Sequence, residues 1–161
     1  MATEQVLIER SGHVAEIILN RPERKNAITG PLARGLQDAV EACSADGEVR
    51  VILLRGASGV FSSGLDLKEF VDATPESFKN YWRVFQDTYL ILHTFPRPLV
   101  AAINGNSPAG GCVISLCCDY RVMARSPDPE KPFRIGLNEV QVGLMVPEVI
   151  QLALRRLVGA H

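Results

Sequence analysis

Several things are missing from this sequence, and each absence narrows the reading. No stretch holds the ~18 consecutive apolar residues of a membrane-spanning helix. The first ten residues carry Glu4, Glu9 and Arg10 and lack a long apolar core. They therefore fit neither a secretory signal nor an arginine-rich, acid-poor transit peptide. There is no excess of either charge: 17 Lys and Arg face 18 Asp and Glu, a net charge of -1. A broad basic field of the kind that holds nucleic acid non-specifically is thereby excluded. Cysteine is sparse, with Cys43, Cys112, Cys117 and Cys118 and no Cys-x-x-Cys pair with partner histidines. No zinc or other metal site is expected, and free buried thiols in a reducing compartment are the simpler reading. No nucleic-acid or membrane partner is expected. The cytoplasm is the default location, with the mitochondrial matrix or peroxisome as alternatives for a processed form.

What is present suits one domain. The chain has 161 residues and is 47% hydrophobic, enough for a sizeable core. Val6 to Arg10 and Val14 to Leu19 are β-rich runs around Ser11-Gly12-His13 and predict a hairpin. Asn20 to Asn26 is polar, holds Pro22 and reads as a loop. Leu32, Leu36, Val40 and Cys43 share one helical face, with Pro31 in the first turn and Thr29 as a cap. Val49 to Leu54 predicts a strand that ends in the turn cluster Gly56 to Gly59. Phe78, Trp82, Phe85, Tyr89 and Leu92 predict a second helix, stopped by Pro96 and Pro98. Its aromatic stripe reads as packing surface. Leu99 to Ile103 is a buried-type strand, Asn104 to Gly111 a loop, Cys112 to Cys118 a short buried helix and Tyr120 to Ala124 a strand. Ser126 to Pro132 reads as an exposed insertion and Phe133 to Leu137 as a last strand. Ile150, Ala153, Leu154 and Leu157 mark the apolar face of a final helix. Strands alternating with helices give the α/β class.

Two glycine-containing segments follow predicted strands and lead toward helices: Phe61 to Leu67, and Asn104 to Cys112. The first lacks the lysine of a P-loop and the second lacks Gly-x-Gly-x-x-Gly spacing, so neither is a nucleotide motif. Turns of this kind leave backbone N–H groups unpaired, and glycine lets a ligand come close. Two of them can aim two donors at one oxygen; two ordinary tight turns would have the same spacing. A third segment, Ile135 to Leu144, holds the lone acid Glu139 among mostly apolar residues. Such a carboxyl tends toward a raised pKa and suits a general base, unless it is simply an exposed glutamate on a loop.

Taken together, Asn20-Arg21-Pro22 with Asn26-Ala27, Phe61 to Leu67, Ala102-Ile103-Asn104-Gly105 with Ala109 to Cys112, and Cys118 to Arg121 resemble the enoyl-CoA hydratase/isomerase (crotonase) superfamily. The resemblance runs over essentially the whole chain. It implies a crotonase-like spiral of ββα units, here the amino-terminal part of that fold, since full-length relatives carry further C-terminal helices. It implies an acyl-CoA substrate whose thioester oxygen is held by the N–H groups of Leu65 and Gly110, with Ser63, Gly64, Leu65, Asp66, Leu67, Gly110 and Asn138 around the substrate. Coenzyme A enters as part of that substrate, and no separate cofactor is required. A homo-oligomer, a trimer, comes with the family.

The family's hydratases typically use two glutamates. Here the first of those positions reads Val113 and the second is Glu139. One carboxylate is enough to move one proton. The segment Gly136 to Gly143, Tyr81-Trp82 and the Pro108 to Cys112 turn resemble the monofunctional Δ3,Δ2-enoyl-CoA isomerases of fatty-acid β-oxidation. The expectation is therefore an isomerase with Glu139 as catalytic base. A hydratase-like enzyme with altered acid–base groups and a non-catalytic acyl-CoA-binding form are the alternatives. Asn138 is expected to hold the acyl group or orient the carboxylate. Asp66 either fixes its loop by hydrogen bonds or is a plain turn aspartate. Arg24, Lys25 and Lys68 either meet CoA phosphates or are solvated charge. Asp119 is expected to be structural, and His13, His93 and His161 have no assigned role.

Overall fold

The computed structural model describes residues 4–159. The first three residues, Ala160 and His161 lie outside the described residues, and so does that part of the sequence reading. Strands β1 (Val6–Ser11) and β2 (Val14–Leu19) form the expected antiparallel hairpin. Helix α1 (Gly30–Ala45) follows, and the Thr29 hydroxyl caps it by accepting the Leu32 N–H at 3.1 Å. Its face of Leu32, Leu36, Val40 and Cys43 is buried as the spacing predicts. Strand β3 (Val51–Gly56) pairs parallel to β2, two residues further along than the apolar run alone suggests. Helix α2 (Pro75–His93) packs on α1, and Pro96 and Pro98 come directly after it.

Strand β4 (Leu99–Ile103) pairs parallel to β3, and β6 (Tyr120–Met123) pairs parallel to β4. The order β1-β2-β3-β4-β6 makes one five-stranded sheet. Residues along β3 and β4 alternate between fully and partly buried, the period-two pattern of a sheet with one face in the core. Ile52, Leu54, Leu99, Ala101 and Ile103 pack there with Leu32, Leu36 and Val40 of α1 and Leu92 of α2. The architecture is α/β, as the alternation of elements implies.

Three expectations need correction. Asn104 to Gly111 is not all loop: Ser107–Pro108 forms β5. Helix α3 (Gly110–Leu116) starts at the second of the turn's small residues, two positions before the apolar run that marks it in the sequence. The last strand shrinks to β7 (Ile135–Gly136), which pairs with β5 in a separate two-stranded sheet. Helix α4 (Glu148–Val158) forms where expected, but only Ile150 of its apolar face is buried, and Leu157 is 48% exposed. Asp119 is structural: its carboxylate accepts the Leu99 N–H at 2.8 Å and so ties the start of β4 to β6.

The loop before α1 is held by a residue whose role the sequence does not announce. Asn26 is fully buried and left-handed, with φ 52, a conformation asparagine tolerates better than most side chains. Its side chain accepts the Arg21 N–H at 2.9 Å and donates to the carbonyls of Ala57 and Val60 at 3.1 and 2.7 Å. Asn26→Ala strands these partners and adds left-handed strain. The expected cost is roughly 2–4 kcal/mol of unfolding free energy, to be read from urea denaturation. Asn26→Asp keeps the acceptor toward Arg21 and loses the two donors, so it is expected to fall in between.

Candidate functional site

The site is built from backbone before side chains. Ile28 forms a parallel bridge with Leu65. Its N–H donates to the Gly64 carbonyl at 2.8 Å, and its carbonyl accepts the Asp66 N–H at 2.9 Å. Gly64 C=O and Leu65 N–H belong to one trans peptide and so point in opposite directions. Tying the carbonyl to Ile28 turns the Leu65 N–H away from Ile28. On that other side lies Gly110. A β-carbon on Gly110 would sit 3.2 Å from the Leu65 nitrogen and 3.1 Å from the Ile28 Cδ1. A β-carbon on Gly64 would sit 3.0 Å from Ala109 Cβ and 3.1 Å from the Gly110 nitrogen. Gly64 also has φ +91, a region that favours glycine. The two turns touch backbone to backbone, and neither the Leu65 nor the Gly110 N–H has a backbone partner among the described residues.

Ala109 precedes Gly110 at φ 48 and ψ -123, a conformation costly for a residue with a side chain. It is held there because its N–H donates to Gly136 O at 2.8 Å and its carbonyl accepts the Val113 N–H at 2.9 Å. Ser62, fully buried, braces the other turn: its hydroxyl donates to Asn26 O at 2.8 Å and accepts the Gly64 N–H at 3.2 Å.

Glu139 opens a short 3-10 turn, Glu139–Val142, and is 8% exposed. It lines both halves of one cleft. The inner recess, about 20 Å³, is lined by Leu65, Gly110, Val113, Trp82, Phe85 and Leu144. The outer half, about 110 Å³, is bounded by Ser63, Leu65, Leu67, Ala109 and Asn138. Glu139 is the one ionisable side chain among the described residues that line the two halves. Its Oε2 is buried without a hydrogen-bond partner. Burial holds its pKa above the ordinary carboxylate range, partly offset by the backbone N–H groups of Glu139 and Asn138.

The remaining residues named from the sequence are placed as follows. The Asn138 side chain is exposed and donates to Gln141 at 3.2 Å, not to Glu139. Gly64 and Asp66 lie behind the cleft wall. Asp66 accepts the Lys68 N–H at 3.3 Å and pairs with Arg21 at 3.1 Å, both side chains being 14% exposed. Arg21 also donates to Ala27 O at 2.8 Å, so it clamps the Ile28–Leu65 bridge; the sequence reading gives it no such role. Arg24, Lys25 and Lys68 are exposed. Leu144, Met145 and Pro147 line the recess without any signal in the sequence beyond apolarity. The larger cavity, about 370 Å³ between α2 and α4, contains none of the candidate site residues. Among the described residues no cluster of side chains could hold a metal ion, and no helix is long and apolar enough to cross a membrane.

A chain with this sheet and these two apposed turns has close relatives. The family model for enoyl-CoA hydratase/isomerase matches residues 9–161, and the chain belongs to that family. It is 38% identical over 148 residues to the mitochondrial enoyl-CoA delta isomerase 1 of Mus musculus, covering 91% of this chain and 50% of that protein. A putative enoyl-CoA hydratase of Thermus thermophilus is 36% identical over 92% of this chain and 57% of its own length. The crystal structure of human mitochondrial delta3-delta2-enoyl-CoA isomerase superposes with a TM-score of 0.90 at 34% identity, covering 98% of this chain and 60% of that one. The fold is the amino-terminal part of the crotonase fold, and the chain spans about half the length of the curated relatives it matches.

Folding places Glu139 in a setting that favours its neutral form. A carboxyl whose pKa is raised by folding adds stability below the ordinary carboxylate range and loses it as pH rises through the raised value. Glu139→Gln is therefore expected to melt higher than the wild type at neutral pH. The gap should close as the pH is lowered toward the ordinary carboxylate range. Thermal melts of both proteins across that range check it.

Proposed function

We propose that the chain carries the proton-transfer site of a Δ3,Δ2-enoyl-CoA isomerase. The observation that carries this reading is a single buried carboxylate, its Oε2 without a hydrogen-bond partner, in an apolar cleft whose wall presents two free backbone N–H groups. The thioester oxygen accepts the Leu65 and Gly110 N–H groups. Glu139, ionised, removes a proton from C2 of a 3-enoyl-CoA. The electron pair shifts to form a dienolate whose negative oxygen is stabilised by the two donors. The protonated Glu139 then delivers the proton to C4, leaving the double bond between C2 and C3. The substrate oxygen ends uncharged, Glu139 ends ionised, and the step needs no metal or redox group. Coenzyme A is part of the substrate.

Hydration is the competing reaction in this family. It needs a water and a proton managed together at the double bond. Val113, 3% exposed, lines the recess where the resemblance puts the hydratases' first glutamate. A hydrocarbon there offers neither a base nor a proton. Placement in fatty-acid β-oxidation and the trimer belong to the same proposal. The likeness to mitochondrial enoyl-CoA delta isomerases supports the first; the trimer rests on the family resemblance alone.

The test is conversion of a 3-enoyl-CoA to the conjugated 2-enoyl-CoA by the purified protein. Glu139→Gln is expected to lower kcat by about 10²–10⁴-fold. Gly110→Ala, which crowds the Leu65 nitrogen without asking for a forbidden backbone angle, is expected to cost about 10²–10³-fold. On the acid side, kcat/KM should fall through an apparent pKa above the ordinary carboxylate range, because the base must be ionised. Tight acyl-CoA binding without conversion would overturn the isomerase reading in favour of a binding protein. Hydration of a 2-enoyl-CoA without isomerisation would favour the hydratase.

A further inference from the structure

The Ile28–Leu65 bridge that turns the Leu65 N–H toward the cleft is itself held from outside the cleft. The Ile28 carbonyl has two partners: the Asp66 N–H at 2.9 Å and the Tyr81 hydroxyl at 2.6 Å. Tyr81 comes from the middle of α2 and is 9% exposed. Phe70 meets its ring edge-on, with centroids 4.7 Å apart and planes at 88°. Burial and the nearby Glu69 and Asp66 hold its pKa well above the ordinary phenol value, so the phenol keeps its proton and donates. The next residue along the helix, Trp82, lines the inner recess with Phe85. One segment of α2 thus both walls the recess and sets the backbone across from it.

We propose that Tyr81 is a positioning residue for the thioester reaction: its hydroxyl fixes the Ile28 carbonyl, and through that bridge the direction of the Leu65 N–H. The inference rests on reading that N–H as a donor to the thioester oxygen. Arg21 clamps the neighbouring Ala27 carbonyl and the Asp66 side chain, so the bridge survives loss of the phenol oxygen. What is lost is one of the two partners that stop the Ile28 carbonyl from tilting. The ring can stay against Phe70.

Tyr81→Phe is the variant, and Thr88→Val is its control. Thr88 lies on the same helix, is 1% exposed, accepts Gln37 at 2.8 Å and lines neither half of the cleft. Its replacement removes a buried hydrogen bond of α2 without touching the bridge. Two readouts are taken: steady-state isomerisation, and the infrared carbonyl band of carbonyl-labelled hexanoyl-CoA bound to each protein. In the wild type the band should lie below its position in water. In Tyr81→Phe it should move back toward that position, with kcat lower by about 10–10²-fold and KM changed by less than about twofold. Thr88→Val should leave both as in the wild type. An unchanged band and kcat in Tyr81→Phe would overturn the inference. So would equal losses in the two variants, which would make Tyr81 a packing residue only, or a wild-type band that does not shift on binding. A band that shifts in the wild type and relaxes in Tyr81→Phe, with no turnover from either, would keep the positioning role and remove the isomerase reading.

Discussion

Gly64 and Gly110 come so close that a β-carbon on either would meet the backbone of the other turn within about 3.2 Å, and the rest of the molecule is arranged to permit that contact. The two turns follow β3 and β4, which pair parallel in one sheet, so these strands must lie in register before the turns can meet. Asn26 and Ser62 tie the first turn to the loop before α1. The β5–β7 pair braces the second turn by drawing Ala109 N–H onto Gly136 O. The strained alanine marks where this bracing overrules local preference. The common result is that two N–H groups face a cleft with no protein acceptor. An unpaired buried donor is ordinarily a cost of about 1–3 kcal/mol, and here both donors border the cleft that Glu139 lines.

Glu139 has the same logic with the opposite charge. Its Oε2 has no partner, and its surroundings, Leu65, Trp82, Phe85, Val113 and Leu144, offer none. A salt bridge would have made the carboxylate more stable and a weaker base. The charged pair of Arg21 with Asp66 lines neither half of the cleft and serves the backbone. Charged groups thus have two separate roles here. They are paired where they hold loops, and unpaired where they face the cleft.

Much of the fold could be read from the residues themselves. The hairpin, the Thr29 cap, the four-residue spacing of α1 and the aromatic stripe of α2 are local signals, and local physics decides them. The β5–β7 pair was not legible, because two-residue strands whose partners stand 28 positions apart carry no periodicity of their own. Nor was the start of α3, since Gly110 and Gly111 are poor helix formers that become helical only through the fixed turn before them. Leu65 and Gly110 were named through a family resemblance; spacing alone left two ordinary turns. Glu139 was visible as a lone acid in an apolar segment, but its burial depends on Leu144 and Ile150, whose approach no local pattern encodes. Asn26 and Tyr81 act through backbone carbonyls far away in sequence, and Arg21 through Ala27 O and the distant Asp66 carboxylate, so the residues themselves show none of these ties, although all three belong to segments that carry the family resemblance.

The strand order β1-β2-β3-β4-β6 also says something about how the molecule comes into being. Along the sheet, strands stand in the order in which a ribosome would make them. Each new strand can dock on the free edge of those already emerged, and no formed pairing has to open to admit a later one. Growth by edge addition keeps each step short-ranged, although the pairs from β2 to β6 are parallel and therefore slow to assemble from a fully unfolded chain. The cleft is completed late in that sequence, because Glu139 follows the last strand of the main sheet. The second turn is completed almost together with it, because the Gly136 carbonyl that holds Ala109 stands three residues before Glu139.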